Sequence, residues 1–337
     1  MKYLLYSDNH FCQYSSIVRG RGEKYSVRLE NQIDTLRWIY DIAVDYKVNA
    51  IIHLGDFFDK PDLNAEELSA LSEIPWLDTT GGIAQYYIVG NHEMGLNTNE
   101  YNSAEVLKLL EYGSVISEPV WWNDKIFILP YILESNRKPL AEYMGGKKAD
   151  IILSHNDIKG IQMGQFISQI GFSIEEIKEN CRLFVNGHIH NEMNNMDGII
   201  NIGNITGQNF SENADIYEHH AFILDTDTNT IEVLENPYAF NFYKLDFTDK
   251  LDLTKQLKNN AVVSVKIKPE DKQTVKEWLE SQNVVASRII LDLSSQEVEV
   301  SAEDVLSVDH IQRFREFIVD KLGSTELILN ELEEVTK

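Results

Sequence analysis

Five short apolar runs, each ending in Asp, Asn or His, constrain the fold of this 337-residue chain more than any other feature. The runs and their polar ends are Leu4–Ser7 into Asp8-Asn9-His10, Ile51–Leu54 into Gly55-Asp56, Tyr87–Val89 into Gly90-Asn91-His92, Ile151–Ser154 into His155, and Leu183–Asn186 into Gly187-His188-Ile189-His190. A short apolar run bounded by a glycine or a polar cluster is typical of a buried strand. We therefore expect oxygen and imidazole donors at the carboxyl ends of five strands, where layered α/β folds place their sites.

The spacing within the motifs favours metal binding. In extended backbone, side chains at positions i and i+2 point the same way. The pattern therefore predicts that Asp8 and His10 converge, and that His188 and His190 converge. Glycines precede three of the motif donors, where a backbone without Cβ can turn tightly into a crowded site.

Seven side chains are candidate metal ligands: Asp8, His10, Asp56, Asn91, His155, His188 and His190. Seven donors are too many for one tetrahedral site, but they suit two ions roughly 3.5–4 Å apart that share a carboxylate. Because the set contains carboxylate, amide and imidazole groups without thiolate, it suits Mn²⁺, Fe or Zn. Two such ions can hold a phosphodiester and lower the pKa of water.

The order of these motifs resembles the signature of the calcineurin-like metallophosphoesterases. The matching segments are Asp8-x-His10, Gly55-Asp56-x-x-Asp59, Gly90-Asn91-His92-Glu93, His155 and Gly187-His188-x-His190. Residues 102–107, residues 129–131 and the long region after the motifs are similar to SbcD-type DNA repair nucleases, including phage recombination endonuclease subunits. The motifs cover about residues 1–235, and a weaker similarity continues to the end.

The resemblance implies manganese and a division of the ligands between two ions. Asp56 would bridge, one ion would take Asp8, His10 and His190, and the other would take Asn91, His155 and His188.

The same resemblance gives roles to the residues beside the ligands. His92 is the candidate catalytic residue that donates a proton to the leaving oxygen or steadies the transition state; the alternative is that it only orients the ligands. Glu93, where relatives commonly have Asp, is expected to orient His92. Asp59 is not counted as a ligand.

The implied function is an Mn-dependent exonuclease and endonuclease that hydrolyses phosphodiester bonds at double-stranded DNA ends. It would work as a homodimer with an SbcC-like coiled-coil ATPase in recombination, repair or replication. Two alternatives stay open, namely another metallophosphoesterase (a protein phosphatase or a nucleotide phosphodiesterase) and a non-catalytic scaffold.

The predicted fold class is α/β, a layered metallophosphoesterase β-sandwich flanked by helices. Alternating strands and helices, including a helix from Leu29 to Val48, and a hairpin over residues 221–234 assign residues 1–237 to a nuclease domain. Residues 238–300 are predicted to form a small α+β capping domain with strand 262–267, helix 269–281 and strand 287–293. In residues 301–337, apolar residues at helical spacing predict a helical tail that binds a partner or packs on the capping domain.

The net charge of −24 fits least well with a DNA-binding protein, because it repels nucleic acid at long range. Three explanations compete: a segregated basic face, positive charge from the metals, or a partner subunit that grips the DNA, which we favour. The basic face would comprise Arg19, Arg21, Lys24, Arg28, Lys147 and Lys148.

The sequence also indicates the cellular location of the protein. No apolar run approaches the roughly 18 residues of a membrane span, and the first residues enter a strand at once, so we expect neither a membrane segment nor a signal peptide. Two cysteines do not make a disulfide framework. We therefore expect a cytoplasmic protein of a bacterial or phage-infected cell. Among the other histidines, His53 is predicted to be buried packing, and His219 and His220 to lie in a surface loop.

Overall fold

All five apolar runs form strands in the computed structural model, which describes residues 1–15, 17–74, 82–163, 166–190 and 195–293. The helices are α1 Val27–Asp45, α2 Ala65–Leu71, α3 Glu105–Leu109, α4 Leu140–Tyr143, α5 Ile174–Asn180 and α6 Lys272–Ser281, with 3₁₀ turns at Glu134–Asn136 and Pro269–Asp271. The strands up to residue 129 are β1 Lys2–Tyr6, β2 Ala50–His53, β3 Ala84–Ile88, β4 Met94–Gly95, β5 Thr98–Asn102, β6 Ser114–Ile116, β7 Val120–Trp121 and β8 Ile126–Leu129. The later strands are β9 Ala149–Ser154, β10 Ile158–Lys159, β11 Gln162–Met163, β12 Phe166–Ile167, β13 Phe172–Ser173, β14 Cys181–Asn186, β15 Asn195–Met196, β16 Ile199–Asn201, β17 His220–Asp225, β18 Thr230–Glu235, β19 Asn241–Asp246, β20 Ala261–Ile267 and β21 Ala286–Leu291.

Two six-stranded sheets carry the motifs. The first sheet has the order β18-β17-β1-β2-β3-β6, with β1, β2, β3 and β6 parallel and the hairpin β17–β18 antiparallel at one edge. The second sheet has the order β15-β16-β14-β9-β8-β7, with four parallel strands between two antiparallel edge strands. Parallel pairing brings the carboxyl ends of β1, β2 and β3 to one edge, and those of β9 and β14 to one edge of the second sheet.

The apolar residues of the two sheets form three cores. Alternate residues of both sheets, such as Leu5, Ile52 and Leu153, pack together between the sheets. The other face of the first sheet packs on α1 and α2, and the other face of the second sheet packs on α4 and α5. The arrangement is therefore the predicted layered α/β sandwich flanked by helices.

Local capping explains where the first helices begin and end. The helix predicted from Leu29 begins at Val27, because the Ser26 side chain accepts a hydrogen bond from the Leu29 amide. It ends at Asp45, before Val48, and Lys47 has a left-handed φ of 53°. The second helix begins with a reciprocal capping box between Asn64 and Glu67.

A third, all-parallel sheet of β19, β20 and β21 follows, with α6 connecting the last two strands. It contains the predicted strand, helix and strand, and adds β19, which was not predicted. Val263, Val265 and Trp278 belong to its own core, and residues 1–291 form one compact unit. The division at residues 237 and 300 stays a prediction. The predicted tail, residues 301–337, lies outside the described residues.

Within the described ranges, none of the helices combines the length and apolar character that crossing a membrane requires.

Candidate metal centre

The loops that carry the candidate ligands leave the strands in left-handed backbone. The φ angles are 52° at Asp8, 47° at His10, 56° at Asp56 and 72° at His188. Residues other than glycine rarely adopt such angles, and clusters of them are typical of functional sites. Asp8 and His10 converge as predicted, but the predicted reason was wrong. Their backbone is not extended, because both residues lie in tight turns.

Asp8, His10 and His190 form the first group of donors. Asp8 Oδ1 lies 3.3 Å from His190 Nε2 and 3.9 Å from His10 Nε2, and the two Nε2 atoms are 3.0 Å apart. Asp8 and His10 are buried, and His190 comes from a loop 180 residues away in sequence. Three donor atoms from both sheets thus face one point.

Asp56, His155 and His188 form the second group. His155 Nε2 lies 3.1 Å from Asp56 Oδ2 and 3.3 Å from Asn91 Oδ1. Asp56 Oδ2 is also 4.0 Å from His10 Nε2, so this carboxylate joins the two groups. His188 and His190 belong to different groups, which corrects the prediction that they aim at one place. All seven candidate ligands lie together; their coordination of metal stays a prediction.

The donor chemistry fits two divalent cations. Asp8 Oδ1 is buried and has no hydrogen-bond partner among the described residues, yet two imidazole nitrogens face it. A buried carboxylate oxygen without a donor is costly unless a cation or water takes that place. Borderline divalent ions such as Mn²⁺, Fe²⁺ and Zn²⁺ accept this mixture of carboxylate, amide and imidazole.

Other groups hold the imidazoles in place. His155 Nδ1–H donates to the Leu54 carbonyl over 2.6 Å, which turns Nε2 toward Asp56. Glu212 Oε1 lies 3.4 Å from His190 Nδ1, and Asp157 Oδ1 lies 3.1 Å from His188 Nε2. Carboxylates in such positions fix the ring of a metal-binding histidine and raise its basicity. Sequence reasoning missed Glu212 and Asp157, because neither belongs to a motif.

Mutual attraction between carboxylates and imidazoles sets the protonation of the centre. Burial acts to raise the pKa of Asp56, but His155 offsets it and the pKa lies well below its ordinary value. Burial acts to lower the pKa of His155, but Asp56 and Asp8 raise it to about 9. Burial also opposes the charged form of His190, but the carboxylates of Asp8 and Glu212 beside its ring raise its pKa to about 10. In the metal-free protein, these imidazolium groups balance the carboxylates.

His92 lies at the border of both groups with its side chain 41% exposed. Its Nδ1–H donates to the Asp59 carbonyl over 2.8 Å, and its backbone N–H donates to Asp56 Oδ1 over 2.8 Å. The rings of His10 and His92 meet edge to face with centroids 4.5 Å apart. Asp59, which was not counted as a ligand, lies 3.2 Å from His10 Nδ1 and forms a third donor group with His10 and His92.

Glu93 does not have its predicted role. Its carboxylate accepts hydrogen bonds from the amides of Asp56, Phe58 and Gly90, at 3.1, 2.8 and 2.8 Å. Burial and the nearby Asp56 raise its pKa to about 8. Glu93 therefore ties together the loops after β2 and β3, whereas the Asp59 carbonyl orients the His92 ring.

The motif glycines are required by close approach, as predicted. A Cβ on Gly55 would lie 2.3 Å from the His155 ring, and φ at Gly55 is +101°. A Cβ on Gly90 would lie 2.2 Å from Asp56 Oδ1 and 2.4 Å from the Asp56 amide. Any side chain at these positions would displace a candidate ligand.

Three of the six residues named for a basic face, one of the three competing explanations of the net charge, are buried or paired with carboxylates. Arg28 is buried, and its guanidinium donates to Cys12 Sγ over 3.1 Å, to the His10 carbonyl over 3.3 Å and to Gln208. Arg21 and Lys24 are exposed but pair with Glu66 and Glu73. Arg28 instead supports the loop of His10, because its position on α1 points it inward.

The other histidines of the described ranges, His53, His219 and His220, lie outside the three donor groups. His53 is fully buried, as predicted, and its burial lowers its pKa to about 3. The prediction of a surface loop was wrong for the other two. His219 is buried and its Nδ1–H donates to the Asn204 carbonyl over 2.9 Å, and His220 begins β17.

Two donor groups joined by one carboxylate, at the strand ends of a layered α/β sandwich, are the arrangement of a dinuclear metal hydrolase. Residues 1–199 match the family described as Calcineurin-like phosphoesterase, and the chain belongs to that family.

Solved structures with similarity to the chain include a dimetal phosphatase from Danio rerio, with 12% identity, a TM-score of 0.40, and coverage of 70% of this chain and 96% of that one. The calcineurin-like phosphoesterase YfkN from Bacillus subtilis has 11% identity, a TM-score of 0.35, and coverage of 70% and 88%. The phosphoesterase YfcE from E. coli has 11% identity, a TM-score of 0.31, and coverage of 70% and 100%. None of the curated proteins matches the chain.

Proposed function

We propose that this protein is an Mn²⁺-dependent DNA exonuclease and endonuclease that cleaves phosphodiester bonds at duplex ends, together with an SbcC-like ATPase in the cytoplasm. The observation that carries the hydrolytic part is the position of His92, whose 41% exposed side chain lies beside two donor groups that Asp56 joins. The similarity of the motifs and of the region after them to SbcD-type nucleases supports the choice of DNA.

The candidate ligands have different roles in the proposed hydrolysis. When bound, the two ions supply Lewis acidity that activates water and neutralises phosphate charge. Asp56, held by the backbone N–H of His92, sets the spacing between the two donor groups. Asp8 belongs to the group of His10 and His190, and Asn91 lies beside His155 of the other group.

His92 is suited to proton transfer. Because its Nδ1–H donates to the Asp59 carbonyl, its Nε2 is left for an oxygen of the substrate. A protonated Nε2 can give its proton to the departing 3′ or 5′ oxygen, and the exposed ring is accessible to a large substrate. The carbonyl contact fixes the orientation of the ring.

The test is degradation of end-labelled linear duplex DNA in the presence of Mn²⁺, with and without the ATPase. We expect degradation by the wild type and its loss in Asp56→Asn, with Asp34→Asn as a matched control, since Asp34 pairs with Arg37 on the exposed face of α1. Hydrolysis of small phosphoesters without DNA cleavage would identify another phosphoesterase. Metal binding without any hydrolysis would identify a scaffold.

A further inference from the structure

One face of the third sheet is not covered by α6. Val263 and Trp278 belong to the core between this sheet and α6. Successive side chains of a strand point to opposite faces, so Phe242 of β19 and Val262 of β20 lie on the second face. There they form a separate cluster with Phe210, which comes from the loop between β16 and β17. The second face therefore begins against a loop of the sandwich.

Two residues further along each strand, the second face carries a row of polar side chains. Lys244 lies opposite Ser264, and Ser264 lies opposite Arg288. Residues in register share a face, and so do residues i and i+2 of a strand, so the row belongs to the second face. Ser264 is buried, whereas Lys244 and Arg288 are exposed. Their Cα atoms lie two strand spacings apart, about 10 Å, so the row presents two neighbouring cations.

The Arg288 side chain is held beside a loop that supports the metal centre. Its Nε donates to Ser264 Oγ over 2.8 Å, and its guanidinium lies 4.6 Å from the centroid of the Phe210 ring. Phe210 comes two residues before Glu212, whose carboxylate lies 3.4 Å from His190 Nδ1. Among the described residues, none accepts a hydrogen bond from Nη1 or Nη2 of Arg288. The outer edge of the guanidinium is therefore left for an external anion, and its planar shape suits phosphate.

A third cation lies next to the same cluster. Arg19 is exposed and directly follows Val18, which is buried in the cluster of Phe242. In the part of the chain that the structure describes, neither Arg19, Lys244 nor Arg288 forms an ion pair with a carboxylate. In a chain of net charge −24, three cations without such partners form a local positive surface, which we call the basic surface.

The next row of the sheet does not cancel this charge. Asp246 lies opposite Lys266, so that row adds one charge of each sign. The Asp246 carboxylate also accepts hydrogen bonds from the amide and the hydroxyl of Thr248, over 3.0 and 2.6 Å. The sum over both rows therefore stays positive.

We propose that the basic surface binds the sugar–phosphate backbone of the nucleic-acid substrate and guides a strand toward the metal centre. The inference rests on the proposed function, from which it takes DNA as the substrate class. Cations that contact phosphates carry no sequence information, so the surface should act alike on every sequence. It also gives this acidic chain a local site for a polyanion that its net charge repels at long range.

The experiment measures how the affinity for DNA depends on salt. The probe is a labelled duplex with a single-stranded end, and fluorescence anisotropy follows its binding to the full, Mn²⁺-loaded chain between about 50 and 200 mM salt. All chains carry His92→Ala, so that bound DNA is not cleaved.

The test variant carries Arg19→Gln, Lys244→Gln and Arg288→Gln. We expect the slope of log K against log salt to become shallower by about two to three, since each phosphate contact contributes about 0.7 to 0.9. The loss should be the same for two unrelated sequences. A double variant, Arg19→Gln with Lys244→Gln, leaves Arg288 packed on Phe210 and should show about two thirds of the change.

The matched control is a second triple variant with Lys125→Gln, Lys272→Gln and Lys276→Gln. It removes the same charge from exposed lysines outside the basic surface, two of them on α6 at the other face of the third sheet. Its slope should change by less than about one.

An unchanged slope in the double variant would overturn the inference. Equal losses in both triple variants would also overturn it, because they would reduce the effect to net charge. Labelled polyglutamate that binds more tightly than DNA through the same three residues would overturn the choice of nucleic acid in favour of an acidic protein. Since no bond is cleaved, the result is independent of the nuclease assay. Hydrolysis of small phosphoesters alone would remove the proposed function, whereas an unchanged slope would remove the basic surface.

Discussion

His92 differs from the other imidazoles of the centre in its exposure, since its side chain is 41% exposed and that of His155 is fully buried. This difference fits the proposed roles, in which His92 meets the substrate and His155 holds a metal ion. His92→Ala should lower kcat for DNA hydrolysis about 10²- to 10⁴-fold, because proton transfer to the leaving oxygen is lost.

The number of bound metal ions distinguishes proton transfer by His92 from a structural role of this residue. Calorimetric titration should give the same Mn²⁺ stoichiometry for His92→Ala and the wild type. His220→Ala is the matched control, because His220 is partly buried at the start of β17 and pairs with Glu218. A His92→Ala protein that binds fewer ions would show that His92 supports the ligands instead.

Protonation of the buried histidines predicts how metal affinity depends on pH. The pKa values of His155 and His190, about 9 and 10 in the metal-free protein, lie above the ordinary value of 6.5, so both groups hold protons at neutral pH. A cation must expel these protons, and its affinity should therefore rise with pH and fall toward acid.

Proton release can be counted by calorimetry in buffers with different ionisation enthalpies. We expect about two protons released at pH 7, and about one fewer in His190→Asn. A binding enthalpy that is the same in every buffer would contradict the protonated state of the site.

At the scale of elements, the loops after β2 and β3 pack so closely that one added methyl group should disturb their arrangement. In Gly90→Ala, the new Cβ meets Asp56 Oδ1 at 2.2 Å and must displace the carboxylate that joins the donor groups. We expect loss of at least one Mn²⁺ site and a fall in hydrolysis of more than about tenfold, since a small misplacement of a reacting group is costly.

Gly20→Ala is the comparison for that change, because the nearest atom to its Cβ is a Val27 methyl at 3.3 Å. Equal metal binding in Gly90→Ala and Gly20→Ala would contradict the close approach of Gly90 to Asp56.

The elements were largely predictable from sequence, whereas their contacts were not. The apolar runs predicted the strands of the sandwich, and the polar residues at their ends predicted the candidate ligands. Both were predictable because strand periodicity and the residues that end a strand are local features of the sequence. The left-handed turn at Asp8 and the inward position of Arg28 depend on neighbours from other segments. Glu212 carries no local signal at all, since its contact with His190 is made only by the fold.

At the scale of the whole molecule, α2 and α3 present apolar surface that a dimer could cover. Leu68 of α2, Leu109 at the end of α3 and Leu110 directly after it are 43%, 80% and 40% exposed. The Tyr112 hydroxyl, three residues after α3, donates to the carbonyl of Leu71, the last residue of α2. In support of the proposed homodimer, Leu109→Asp should shift the mass measured by light scattering from dimer to monomer.

Leu293→Asp is the control for that substitution, since Leu293 is 53% exposed beyond the third sheet. A wild-type protein that is monomeric at micromolar concentration would contradict the dimer.

The tail proposal is tested on the whole chain with its partner. A chain truncated before Val305 should lose association with the SbcC-like ATPase in a pull-down while it keeps Mn²⁺ binding, because all seven candidate ligands precede residue 191. Undiminished association would show that the partner binds elsewhere, and lost metal binding would show that the tail stabilises the sandwich.

The position of β1 has a consequence for synthesis of the protein. β1 lies between β2, which follows it closely in sequence, and β17, which begins at residue 220. On the ribosome, the strand that leads into Asp8 keeps one unpaired edge until β17 has been translated and has left the exit tunnel. A nascent chain that ends before β17 already carries all seven candidate ligands, but the strand that leads into Asp8 still has an edge that is open to wrong pairing.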